Sequence, residues 1–214
     1  MNLWFSRLFL VAGLFLSISA LTPEECEPLV KPLSLVDPSM MYGRLNFIMG
    51  YSDSEEYKAI LKSLHSSWMN ISASPHSTKE VVMYEENDIN GTCFGSTFNT
   101  SIDGDTATSS MGNITTEFHL LPSCDGCVVF SGISTARNLE KFLDLVKLDS
   151  TNTREQFTTN AVYLMGREST LTDADLEHFK QQASCLGFSG EPDFHYDTKN
   201  GFCKEGEGVK LSLT

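Results

Sequence analysis

The sequence is poor in basic charge and in tryptophan, and it has no long apolar run after its first twenty residues. It carries 15 Lys and Arg against 28 Asp and Glu, a formal net charge of −13. That deficit argues against nucleic acid or anionic lipid as a partner, since both need a basic surface. Beyond residue 20 no segment is apolar enough to span a bilayer, so no membrane insertion is expected. The five histidines, His65, His76, His119, His178 and His195, form no H-E-x-x-H and no convincing zinc spacing, so no metal site is expected. There is no G-x-S-x-G and no phosphate-cradling glycine loop. A strand–helix–strand rhythm is also missing, which removes the doubly wound sheet and the parallel barrel. Neither enzymatic activity nor a cofactor is therefore expected.

What is present points to export. Arg7 is the only charged residue in the first twenty, followed by an apolar stretch ending at the small residue Ala20. Residues 1–20 read as a secretory signal peptide. Cleavage there would leave 214 − 20 = 194 residues carrying 14 − 28 = −14 charges. That length suits one domain, and an apolar fraction of 41% can build its core. All six cysteines, Cys26, Cys93, Cys124, Cys127, Cys185 and Cys203, follow the signal. An even number in an exported chain implies disulfides, with fifteen pairings open. Asn70, Asn90, Asn99 and Asn113 each head an N-x-S/T acceptor, and glycan is expected on most of them.

The pattern of apolar residues predicts strands, then a helix. Residues 23–42 hold four prolines and read as an irregular lead-in. Leu45, Phe47, Met49 and Tyr51 alternate on one face of a strand over 43–51. Ser52 to Glu55 has capping-box spacing before a short helix at 53–62. Period-two stretches follow: Ser67, Met69 and Ile71 face one way, opposite Trp68 and Asn70. Further strands fall at 79–85, 91–101, 105–111, 114–121, 127–133 and 157–165. Asp103-Gly104 marks a hairpin. Residues 141–148 are read as a strand, although Leu139, Phe142, Leu143 and Val146 also fit a helical period. Thr172 to Cys185 is the clearest helix, a short strand is expected near 193–197, and 204–214 reads as a flexible tail. The fold class is all-β, either a sandwich or an eight-stranded barrel with a late helix.

Chemistry-bearing motifs are few. The acidic pairs Glu55-Glu56 and Glu85-Glu86 read as solvated surface. Cys124-Asp125-Gly126-Cys127 lies in a turn between strands, so it reads as a structural disulfide clamping a hairpin rather than a redox pair. Phe47, Phe98, Phe118, Phe157 and Tyr163 at strand periods are core residues, or they line a cavity with Ser67, Ser96, Thr100 and Thr159 as polar neighbours.

Several segments, taken in order, resemble the lipocalins. Cys26-Glu27-Pro28-Leu29-Val30 looks like the opening cysteine segment, and Ser54-Glu55-Glu56-Tyr57 like the family's Asn-Glu-Glu-Tyr helix start. Cys93-Phe94-Gly95-Ser96-Thr97-Phe98 falls at the central cysteine strand. Ala161-Val162-Tyr163, Leu171-Thr172 and Leu176-Glu177-His178-Phe179 resemble the last strand and its helix. Cys185-Leu186 and Lys199-Asn200-Gly201-Phe202-Cys203 complete the register. Within the family the likeness is to the group of alpha-1-acid glycoprotein (orosomucoid) and the fish saxitoxin- and tetrodotoxin-binding proteins, and more distantly to apolipoprotein M. One departure is plain: Gly43-Arg44-Leu45 stands where the family has Gly-x-Trp, and Arg167 is a candidate for the basic residue that packs across that Trp.

The resemblance implies an eight-stranded antiparallel up-and-down barrel over 21–203 with a C-terminal helix packed outside. It implies the bridges Cys26–Cys185 and Cys93–Cys203, with Cys124–Cys127 an addition relative to the orosomucoid group. It further implies a mainly monomeric, acute-phase-like plasma carrier. Its calyx would take a lipophilic or amphipathic molecule, basic or toxin-like ligands included. By family position Ser67, Met69, Ile71, Ala161 and Tyr163 line the pocket, and Phe98, Thr100 and Phe118 join them on the inward faces of their strands. Two alternatives stand beside the carrier: an interaction or immune-modulating glycoprotein with a packed, ligand-free barrel, and an enzymatic lipocalin with a free pocket thiol.

Overall fold

The protein is described here from a computed structural model covering residues 21–148 and 155–211. Residues 1–20, read from sequence as a signal peptide, lie outside the described residues. Eight strands make the wall: β1 (Gly43–Ser52), β2 (Leu64–Ala73), β3 (Glu80–Ile89), β4 (Thr92–Asp103), β5 (Thr106–Met111), β6 (Ile114–Leu121), β7 (Cys127–Arg137) and β8 (Gln156–Gly166). Neighbours in sequence pair antiparallel, β8 returns to β1, and the barrel is closed. Closure leaves no long sheet edge to template aggregation.

Four helices flank the wall: α1 (Pro23–Val30), α2 (Glu55–Ser63), α3 (Glu140–Leu145) and α4 (Asp173–Cys185). Helix α4 begins where Thr172 accepts a hydrogen bond from the Asp175 amide. It buries Phe179 and Ala183 against Ile48, Met49, Val162 and Leu164 on the outside of the barrel. Gln182 joins the helix to its surroundings, donating to the carbonyls of Leu29 (2.8 Å) and Pro122 (2.6 Å). The bridges are Cys26–Cys185, Cys93–Cys203 and Cys124–Cys127.

The structure departs from the sequence reading in four places. The lead-in is not wholly irregular. Pro23 stands at the first helical position of α1, where its missing N–H costs nothing, and Thr22 and Glu25 close a capping box. A 3₁₀ turn follows at Pro38–Met41. Residues 141–148 are not a strand: α3 occupies Glu140–Leu145, so the helical period of Leu139, Phe142, Leu143 and Val146 was the true one. Strand β1 does not keep one face. A bulge between Phe47 and Met49 leaves Leu45 and Phe47 in the barrel interior and turns Met49 and Tyr51 out towards α4. In the expected tail, β10 (Val209–Lys210) pairs parallel with β4, and β9 (Phe194–His195), close to the predicted short strand, pairs with β1.

One end of the barrel is plugged. Leu35, Met41 and Leu45 are buried there with Val81, Ile102 and Ala107. The backbone of Leu33 and Leu35 crosses this end, donating to Leu120 (2.8 Å) and Gly104 (3.0 Å). Leu45 thus fills the floor with aliphatic neighbours. Arg167 clamps the floor segment through the carbonyls of Tyr42 (2.7 Å) and Met40 (3.1 Å). The guanidinium that stacks on an indole is Arg44, 4.2 Å from the centroid of Trp68.

Candidate functional site

The other half of the barrel is hollow. Three adjoining cavities of about 210, 200 and 200 Å³ lie between the plugged floor and the mouth, where α2, α3 and the Asn90 and Asn113 turns sit. The interior is therefore not the packed core of the ligand-free alternative. Gly50 helps to make the space. A Cβ there would come within 2.5 Å of Phe47 and 2.9 Å of Tyr163, whose rings meet edge to face at 5.3 Å.

Of the pocket residues expected from sequence, Ser67, Met69, Phe98, Phe118, Ala161 and Tyr163 line these cavities. Ile71 and Thr100 do not. Both point inward but belong to the packed lower barrel, Ile71 against the floor residues and Thr100 hydrogen-bonded to the Met83 thioether. The alternation was right for them; their height along the barrel was not visible in it.

The residue that sequence reading missed is Glu85. It lines all three cavities and is their common wall. No Lys, Arg or His lines any of them, so among the described lining residues Glu85 carries the only formal charge. Ser96 donates to its carboxylate at 2.6 Å, and Asn87 hydrogen-bonds to it as well. Burial pushes the Glu85 carboxyl above its ordinary range. The bonds from Ser96 and Asn87 oppose that shift, and the neighbouring Glu86 adds to it. Tyr57, at the foot of α2, bonds to Ser134, and burial raises its hydroxyl; burial, with Tyr57, Asp193 and Glu85 nearby, raises Tyr163 in the same way. Both phenols are neutral and lie within electrostatic reach of Glu85.

The pair Glu85-Glu86 is thus not solvated surface. Successive residues of β3 face opposite sides of the wall. Glu85 enters the calyx, while Glu86, 1% exposed, lies under the chain that follows Cys203. A signal was present: Val81, Met83, Glu85 and Asn87 share one parity, and the first two are plainly apolar. The strand predicted over 79–85 contains Val81, Met83 and Glu85, but alternation alone does not say whether that face meets a cavity or solvent.

Among the described residues no group of three or more His, Cys, Asp or Glu side chains converges on a metal site. All six cysteines are bridged, so the pocket holds no thiol for a thiol-dependent reaction. The four sequon asparagines, Asn70, Asn90, Asn99 and Asn113, are all exposed. No helix among the described residues is long and apolar enough to cross a membrane.

No protein-family model matches the chain, and no curated protein matches it in sequence. Solved structures do match. The siderocalin Ex-FABP, described as functioning through dual ligand specificities, superposes with a TM-score of 0.54 at 12% identity, covering 74% of this chain and 95% of that one. A second siderocalin, described as having a dual ligand binding mode, gives 0.51 at 14% identity over 76% and 95%. An odorant-binding protein gives 0.51 at 16% identity over 71% and 86%. At such identities the likeness speaks for architecture: a closed eight-stranded barrel, hollow at one end, with a helix against its flank, which is the lipocalin fold.

Proposed function

We propose that this chain is an exported carrier that holds a small amphipathic molecule with one basic group inside its calyx. The observation that carries this reading is Glu85, a carboxylate at the junction of three cavities whose walls hold no basic side chain. Burying a lone carboxylate costs several kcal/mol, by order of magnitude, unless a counter-charge repays it. A ligand cation would repay it. Apolar arms of the ligand would fill the lobes lined by Met69, Phe98, Phe118 and Met165, each Å² removed from water contributing about 25 cal/mol. Tyr163 and Tyr57 would orient the basic group. The dual-ligand siderocalins and the odorant-binding protein show that such barrels host ligands in other chains.

Export is part of the proposal. It is supported by the apolar first twenty residues, the complete disulfide pairing and the exposed sequons. The bridges Cys26–Cys185 and Cys93–Cys203 support placement in the orosomucoid-like branch of the lipocalins. The test is native mass spectrometry of the secreted, deglycosylated protein, followed by solvent extraction. A stoichiometric bound mass, lost on denaturation and identified as an amphipathic base, is the expected result. An empty protein that then also fails to bind cationic, neutral and anionic amphiphiles would overturn the carrier reading.

A further inference from the structure

Two stretches of the barrel wall lack the usual strand neighbour, and both lie towards the mouth. Strand β1 pairs with β2 only over Gly43–Asn46, and β9 covers β1 at Met49–Gly50. Strand β4 pairs with β5 only over Thr100–Asp103, opposite Thr106–Ser109, so the mouth half of β4 has no β5 partner. Above that point β10 pairs with Phe94 and Gly95. The chain after Cys203 therefore stands in for a missing piece of wall beside the calyx.

That strap has a built lock. The buried Glu86 accepts from the backbone N–H of Gly206 (2.9 Å) and of Gly208 (3.1 Å), and Tyr84 donates to the same carboxylate. Gly208 has no room for a side chain: a Cβ would sit 2.3 Å from the Glu86 carboxylate and 2.5 Å from the Gly95 nitrogen. Above the lock, the Leu211 N–H donates to the Gly95 carbonyl at 2.9 Å. The Leu211 side chain lines the 210 Å³ calyx lobe that Ser67 and Glu85 also line. It lines the outer groove beside Tyr84, Glu86 and Lys210 as well. Leu211 is the partition between the ligand chamber and solvent on this side.

We propose that residues 204–211 form a side gate of the calyx, hinged at the Cys93–Cys203 bridge, latched by Glu86 on the glycine amides of the strap and closed by Leu211. Small molecules enter and leave when the latch releases and the strap swings off the β4 edge. The gate presupposes the ligand chamber proposed above, so its test is chosen to need no ligand.

Ser67 lies in the gated lobe, and Ser67→Cys places a near-isosteric thiol there for labelling by iodoacetamide. Labelling is compared in full-length chains carrying Ser67→Cys alone and with Leu211→Ala or Gly208→Val; Val209→Ala, an exposed strap position, is the control. Melting curves check that each variant is folded. If the open form is a minor state of about 0.1–10%, labelling in the Leu211→Ala and Gly208→Val chains should accelerate roughly 10- to 1,000-fold, with the control unchanged. Hydrogen exchange of the 205–211 amides should rise in Gly208→Val. Unchanged labelling in Leu211→Ala overturns the gate, and a strap that stays protected in Gly208→Val overturns the latch. N-phenylnaphthylamine, a neutral fluorescent probe, is then titrated into the same proteins. Faster labelling with no probe uptake would count against the carrier reading and leave the gate standing.

Discussion

Glu85 is the charged residue of the calyx wall, and its behaviour follows from where it is buried. A hydrogen-bonded counter-charge contributes about 1.5–3 kcal/mol, which is roughly 10- to 150-fold in affinity. Glu85→Gln should therefore weaken binding of a cationic probe such as acridine orange by that factor, with little effect on N-phenylnaphthylamine; fluorescence titration of both probes checks it. The pH dependence follows in sign. Burial raises the folded-state Glu85 pKa above 4.5, so cation binding should be lost as pH falls through the raised value, earlier than for an exposed carboxylate. In the same window the folded empty protein binds more protons than the unfolded chain, so Glu85 makes it more stable as pH falls. Asp53 acts in the opposite sense. Burial raises its pKa, but hydrogen bonds from Asn160 and Thr159 outweigh that and hold it below 3.8, so its stabilisation fades only in stronger acid. Denaturation and binding measured across pH in Glu85→Gln should show the Glu85 contributions gone. Parity along β3 was legible in the sequence; which parity faced a cavity was not, because an inward carboxylate and a solvated one share the same alternation.

At the scale of elements, local signals were reliable where capping and period agreed. Helix α4 was legible in full, with Thr172 as its cap and Phe179 and Ala183 on its buried stripe. Thr172→Ala should cost about 0.5–2 kcal/mol, read as a lowered unfolding midpoint. Helix α3 and the β1 bulge were misread for different reasons. The short apolar stretch of α3 lies between strands, so its helical period competes with a strand context. The bulge is set by tertiary pairing: β8 and α4 need Met49 and Tyr51 outside, whereas strict alternation would keep them in. Gly50 belongs to the same accommodation. Gly50→Ala should displace the Phe47–Tyr163 pair, cost about 1–3 kcal/mol and shrink the pocket, which denaturation and probe titration would report together.

For the whole molecule, cross-links and the late chain segments hold an incomplete wall together. Cys26–Cys185 spans 159 residues of sequence and ties α1 to α4; Cys124–Cys127 spans only 3. Restricting the unfolded chain gives the long bridge a stabilisation of up to about 5 kcal/mol and the short one about 1–2. Serine substitution of Cys26 and Cys185 should lower the melting temperature by roughly 5–15 °C, far more than substitution of Cys124 and Cys127, as a calorimetric comparison would show. After α4 the chain runs back along the mouth half of the barrel. Tyr196 and Phe202 stack at 4.7 Å, and the Trp68 indole donates to the Cys203 carbonyl at 2.8 Å. In this way the segment closes the places where strands part.

The sequence by itself determined what is local or covalent. Strand parity outside β1, the α2 and α4 helices, the Asp103-Gly104 turn, the sequons and the acidic balance are each written within a few residues, where steric preference, capping and composition act without distant partners. The tertiary structure alone decided what depends on height along the barrel and on which faces meet. It packed Ile71 and Thr100 below the cavity, turned Glu85 into the chamber and Glu86 beneath the strap, and made a wall of a segment that reads as a tail. Those outcomes rest on strand register, closure and the meeting of residues more than a hundred positions apart, as Glu86 and Gly208 do. No local pattern encodes such a meeting, because its free energy arises only when both partners are already in place.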